Sequence, residues 1–117
     1  MSLGSLESSI MDVLWAADGP LTVRETLESL NRERTPPLAY TTVLTVMSRL
    51  ADKGALVRTA KGRGHAYAPA VADEAALAVQ GVLRTYGEAA VAHFLDRAAT
   101  DPALRQRLKA LLEDGQR

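Results

Sequence analysis

Thr41, Leu44, Thr45 and Ser48 recur at i, i+3, i+4 and i+7, the spacing of one helix face. Their chemistry suits recognition more than reaction. A threonine hydroxyl donates or accepts, while its methyl and Leu44 offer apolar contact of the kind that fits a thymine C5-methyl. Cations follow at once: Arg49 and Lys53 on the same segment, then Arg58, Lys61, Arg63 and His65 around Gly62 and Gly64. Between Tyr40 and Tyr67, five lysines and arginines stand against the single carboxylate of Asp52, a net of +4. Fourteen basic and fourteen acidic residues cancel over the whole chain, so the positive excess is local. Short uncharged side chains beside a basic hairpin suit a polyanion with readable edges, and double-stranded DNA is the expected partner. Thr41, Leu44, Thr45 and Ser48 would face the groove. Tyr40, Thr42 and Arg49 would hold phosphates and set register. Arg58, Lys61, Arg63 and His65 would meet backbone or minor groove.

The elements that must position these residues are legible in the same pattern. Val43, Val46, Met47 and Leu50 form a second stripe on the same helix, with core spacing. That helix is expected over about Ala39–Lys53, with Gly54 as a left-handed C-cap. Before it, Ser5 would cap a helix over Leu6–Ala17 that buries Leu6, Ile10, Val13 and Leu14, with Trp15 as a core anchor. Asp18-Gly19-Pro20 is turn chemistry. Thr22-Val23-Arg24-Glu25 has capping-box form and starts a second helix that buries Val23, Leu27 and Leu30. Thr35-Pro36-Pro37 forces an extended connection. Val57–Thr59 and His65–Ala68 flank a glycine turn and read as a β-hairpin.

The expected fold is therefore mainly α with a small β-hairpin: a winged helix-turn-helix over residues 1–70, followed by a three-helix dimerisation region over residues 71–117. The latter would hold helices over Asp73–Tyr86, Glu88–Ala99 and Pro102–Glu113. Some forty-five residues of amphipathic helix are too few to bury their own stripes. Leu77, Leu83, Val91, Phe94, Leu95, Leu104, Leu108 and Leu111 are the expected homodimer interface.

Other chemistries lack the residues they need. There are no cysteines, hence no disulfide, thiolate metal site or cysteine nucleophile. Two histidines, His65 and His93, lie far apart in sequence without further ligands, so neither metal nor cofactor is expected. Ser8, Ser9 and Ser48 read as surface or capping hydroxyls, and no enzyme is expected. No run approaches the roughly 18 apolar residues of a membrane span. The first ten residues lack the basic flank and apolar run of a signal peptide, so a cytoplasmic location without membrane insertion is expected.

In order along the chain, Leu6-Glu7, Ile10–Trp15, Leu21–Glu25, Leu38–Val43, Thr45-Val46-Met47, Arg49-Leu50, Lys53-Gly54 and Tyr67-Ala68-Pro69 resemble the penicillinase repressor (BlaI/MecI) family. The resemblance implies a winged helix on a palindromic operator, a C-terminal dimer, and repression of β-lactam resistance or sensor-protease genes. It also implies release by a membrane sensor-protease that cuts an Asn-Phe bond. His93-Phe94 occupies that position here, with histidine in place of asparagine. Copper-responsive relatives carry C-terminal cysteine motifs, which this chain lacks. Thr41 and Leu44 replace the lysines or arginines of some members, so the operator sequence does not transfer. Two other readings share the fold: a repressor responding to a small molecule, and a winged helix that docks an acidic protein. The retained +4 favours DNA over the latter.

Overall fold

A computed structural model describes residues 3–115. The elements are α1 (Ser5–Ala16), β1 (Leu21–Thr22), α2 (Val23–Asn31), α3 (Tyr40–Asp52), β2 (Leu56–Lys61), β3 (Gly64–Pro69), α4 (Glu74–Tyr86), α5 (Glu88–Thr100) and α6 (Pro102–Gly115). The chain divides after Ala78, inside α4, into two compact units.

In the first unit, three helices and a sheet enclose one core. Ile10, Met11 and Leu14 of α1, Val23 of α2, and Val43, Met47 and Leu50 of α3 meet Leu56 and Tyr67 of the hairpin and Leu77 of α4. Val43, Met47 and Leu50 are wholly buried, as their spacing demands. Val46 and Val13 are only half-buried, on the edges of their stripes. Trp15 packs against this cluster, and its indole N–H donates to the Val71 carbonyl at 2.9 Å. The anchor role expected of it is satisfied without leaving a polar atom unpaired. Leu50→Ala should cost about 2–5 kcal/mol, since it deletes a fully buried side chain. Urea unfolding reads the loss directly, and an unchanged midpoint would contradict this core.

Caps and turns set where α3 begins and ends. Thr22 caps α2: its hydroxyl accepts the Glu25 N–H at 3.1 Å, and Glu25 accepts the Thr22 N–H at 3.0 Å. The Asn31 side chain then clamps the far end of the connection. Its amide donates to the Leu38 carbonyl at 3.1 Å, and its oxygen accepts the Leu38 N–H at 2.8 Å. The 32–39 connection is therefore not the extended run expected of Thr35-Pro36-Pro37: it turns at Arg32-Glu33, bends at Thr35-Pro36 and folds back so that Asn31 meets Leu38 before α3 starts. At the other end Gly54 takes φ +84°, while the Gly54 and Ala55 amides return to the Ala51 and Leu50 carbonyls at 3.0 and 2.9 Å. That double closure is a Schellman motif, and it turns the chain into β2.

Two other local expectations need correction. The N-cap of α1 is Gly4, not Ser5, because Glu7 lies three residues after Gly4 and accepts its N–H at 3.0 Å. The sheet has three strands in the order β1-β3-β2, all antiparallel, not the two of a lone hairpin. Leu21 pairs with Tyr67 and Thr22 with Ala66, so the cap of α2 is stitched to the wing. The hairpin runs from Leu56↔Pro69 to Lys61↔Gly64, leaving Gly62-Arg63 as a two-residue turn. Gly62 at φ +59°, followed by a residue at negative φ, is the type II′ arrangement that suits strand twist.

In the second unit, α5 and α6 pack against each other over the buried Ala98.

Candidate nucleic-acid interface

The buried stripe of α3 fixes what its other side presents. With Val43, Met47 and Leu50 inward, Thr41, Thr42, Leu44, Thr45 and Arg49 are exposed and Ser48 is half-buried. Leu44 keeps 36 % of its surface in water and Tyr40 41 %, so both are open to a partner. The sheet register brings the wing alongside. A cleft of about 380 Å³ is lined by Thr22 and Arg24 of α2, Tyr40 and Leu44 of α3, and Lys61, Gly64, His65 and Tyr67 of the hairpin. Of the residues singled out from sequence, Tyr40, Leu44, Lys61 and His65 therefore share one cleft. Thr41, Thr42, Thr45, Ser48 and Arg49 lie along α3, and Arg63 is exposed at the wing's tip.

Arg58 is exposed, yet tied to its cross-strand partner. Its Nε donates to the Tyr67 hydroxyl at 3.3 Å, and its guanidinium sits 5.5 Å from that ring's centroid. Such a side chain is pre-ordered on the sheet. Arg24 was not evident from sequence. Its guanidinium lies over the Tyr40 ring at 5.4 Å, a cation–π contact joining the start of α2 to the start of α3. The one sequence signal was its place at the exposed start of a capped helix. Its partner sixteen residues on becomes visible only when the two helix starts meet.

Two carboxylates pair with cations that lie between Tyr40 and Tyr67, Glu25 with Lys61 and Glu7 with Lys53. Thr22 holds Glu25 below the usual carboxylate range, first through its backbone N–H and then through its hydroxyl, and Lys61 adds to the effect. The Gly4 N–H does the same for Glu7, followed by the hydrogen bond from Lys53. Both therefore stay ionised at neutral pH.

Within the second unit, Leu83, Val91, Phe94, Leu95 and Leu111 are exposed, and Leu104 and Leu108 are half-buried. Val79, Val82, Tyr86 and Leu112 extend the exposed apolar set. Leu77 does not belong with them, being part of the first unit's core. His93 and Phe94 are both exposed in the middle of α5. Among the described residues there is no group of His, Asp and Glu able to hold a metal, and no helix long and apolar enough to cross a membrane.

The model of the penicillinase repressor family matches residues 3–114. The transcriptional regulator BlaI of Mycobacterium tuberculosis, from strains CDC 1551 / Oshkosh and ATCC 25618 / H37Rv, is 41 % identical over 118 aligned positions, covering 93 % of this chain and 84 % of BlaI. The monomeric form of Bacillus licheniformis BlaI, solved with the blaP half-operator, matches with a TM-score of 0.51 at 28 % identity, over 64 % of this chain and 87 % of that one. The complex structure of hsRosR-S1 shares the fold with a TM-score of 0.53 at 15 % identity, over 97 % and 92 % of the two chains. The BlaI relatives are named as transcriptional regulators, not enzymes. The mainly helical fold with its three-stranded wing agrees with them, and this chain belongs to the penicillinase repressor family as a BlaI-like transcriptional regulator.

Proposed function

We propose that the chain is a homodimeric repressor that lays one α3 into each of two successive major grooves of a palindromic operator. The observation that carries this reading is the two-sided α3. Val43, Met47 and Leu50 of its core stripe are fully buried, while a row of threonines and Leu44 stands exposed beside the cations of the wing. Thr41, Leu44, Thr45 and Ser48 read base edges. Tyr40, Thr42, Arg49, Arg58, Lys61, Arg63 and His65 hold the backbone. Arg24 joins this second group through Tyr40. The half-operator in the Bacillus licheniformis BlaI structure supports a DNA partner, with one subunit to each half-site.

Dimerisation rests on the second unit. Its helices leave Val91, Phe94, Leu95 and Leu111 about half exposed, large apolar side chains that a two-fold partner would cover. A two-fold axis would set the α3 helices about 34 Å apart, or a multiple of that. A dimer so placed blocks RNA polymerase. The reading extends to genes of β-lactam resistance or of a membrane sensor-protease, on the strength of the family. Proteolytic release at His93-Phe94 rests on the family alone: the proposed dimer covers Phe94, and cleavage requires the middle of α5 to unwind.

The test is a salt series. Genomic fragments that the protein retains supply the operator, and its affinity is then measured by gel shift. With three or four phosphate-bound cations per subunit, six to eight in the dimer, affinity should fall about 10³–10⁴-fold between about 50 and 200 mM salt. Binding that ignores salt would sink the reading.

A further inference from the structure

Glu25 does two things with one carboxylate. Its Oε1 accepts the Thr22 N–H at 3.0 Å, which completes the cap of α2. The same oxygen stands 3.8 Å from the Lys61 ammonium, the wing cation that lines the cleft beside Tyr40 and His65. Capping alone does not need the charge, because glutamine at this position of a capping box supplies the same oxygen. Fold stability does not need the pair either. Lys61 and Glu25 keep 59 % and 47 % of their side chains exposed, and ion pairs so solvated contribute little. What the charge does change is the state in which Lys61 meets a polyanion. A lysine already neutralised by a carboxylate releases fewer counterions when phosphate replaces that carboxylate. Glu7 repeats the arrangement at α1, capping through Gly4 while its other oxygen takes Lys53 at 2.9 Å.

We propose that Glu25 is a positioning residue that attenuates DNA binding: it holds the wing's Lys61 in the free protein and must yield it to phosphate, which weakens binding to every DNA sequence alike. This rests on the DNA-binding reading above. The effect is uniform across sequences because a phosphate contact carries no base information.

The experiment compares the wild type, Glu25→Gln, Lys61→Gln and the double variant. Binding is read by fluorescence anisotropy on a selected genomic duplex and on a scrambled duplex of the same composition, over a range of salt. The unfolding temperature of Glu25→Gln should fall by no more than a few degrees, because the capping oxygen is kept and only its charge is lost. Glu25→Gln should bind both duplexes about five-fold more tightly per wing near 0.1 M salt, with a salt slope steeper by about 0.9 per wing. In the Lys61→Gln background the same change should do nothing, the signature of action through Lys61. Unchanged or weaker binding by Glu25→Gln would overturn the proposal, and weaker binding would make Glu25 a latch that pre-shapes the wing. An equal gain with and without Lys61 would overturn it too, as would a gain confined to the selected duplex. Salt-insensitive binding by the wild type would instead defeat the DNA reading beneath it.

Discussion

Thr45→Asp should abolish operator binding while leaving the fold intact. Thr45 is exposed on α3, one turn beyond Thr41 and beside Leu44. Exposed substitutions away from caps and cores usually change stability by less than about 0.5 kcal/mol, so unfolding should barely move. Binding should change greatly for two additive reasons. The hydroxyl and methyl that could meet a base edge are lost, worth about 1–3 kcal/mol per half-site. A carboxylate is also placed in the groove between two rows of phosphates, where each subunit adds repulsion at short range. Two subunits compound both effects, and a loss of at least about 10³-fold follows from roughly 4 kcal/mol. Gel shift on the selected operator measures it. Near-normal binding by a folded, dimeric Thr45→Asp would take α3 out of the groove.

A milder change at the same position separates reading from charge. Thr45→Val keeps the shape and one methyl but removes the hydroxyl. Its loss should fall on the operator and leave scrambled DNA untouched, because sequence is read at base edges and not at phosphates. Neutralising Arg63 at the wing's tip should do the reverse and weaken both duplexes together.

How much of this was open to reading from the chain depended on how far each signal travels along it. The two faces of α3 were legible because a helical stripe repeats over thirteen residues and the Gly54 cap ends it cleanly. The Thr22–Glu25 box was legible because both partners lie within one turn. β1 was not, since two residues carry no alternation and Leu21-Thr22 becomes a strand only when Tyr67 and Ala66 arrive beside it. The cap of α1 was misplaced by one residue. Serine has the stronger intrinsic preference, but Glu7 reaches Gly4 and not Ser5. Leu77 shows a further limit. Its stripe continues down α4, yet a stripe does not say which core it enters, and Leu77 enters that of the first unit. Arg24 and the Glu25–Lys61 pair depend on the starts of α2, α3 and the wing converging, which no spacing encodes.

If the proposed dimer forms through the second unit, Phe94→Asp should leave a monomer at low micromolar concentration. In the single subunit Phe94 leaves 48 % of its surface in water, beside Val91 and Leu95, so an aspartate there costs the subunit little. Across a two-fold interface the same position counts twice. Truncating a well-packed phenylalanine costs about 3–5 kcal/mol, and a buried unpaired carboxylate adds to that on each side. Counted on both sides the sum passes about 6 kcal/mol, so the shift in dimer Kd should exceed about 10⁴-fold. Light scattering at matched concentrations reads the mass, and an unchanged dimer mass would refute the interface. Phe94→Leu should keep the dimer, because it retains apolar volume without charge. The consequence for DNA would come through assembly, since Phe94 lies in the second unit and α3 in the first. A monomer still carries one intact reading face, so a half-site duplex should bind as it does for the wild-type subunit. The full operator should lose about 10²–10⁴-fold, the gain that tethering two α3 helices supplies. Loss on the full site with retention on the half-site would locate the effect in assembly. Equal loss on both would mean that the substitution had disturbed the reading head itself.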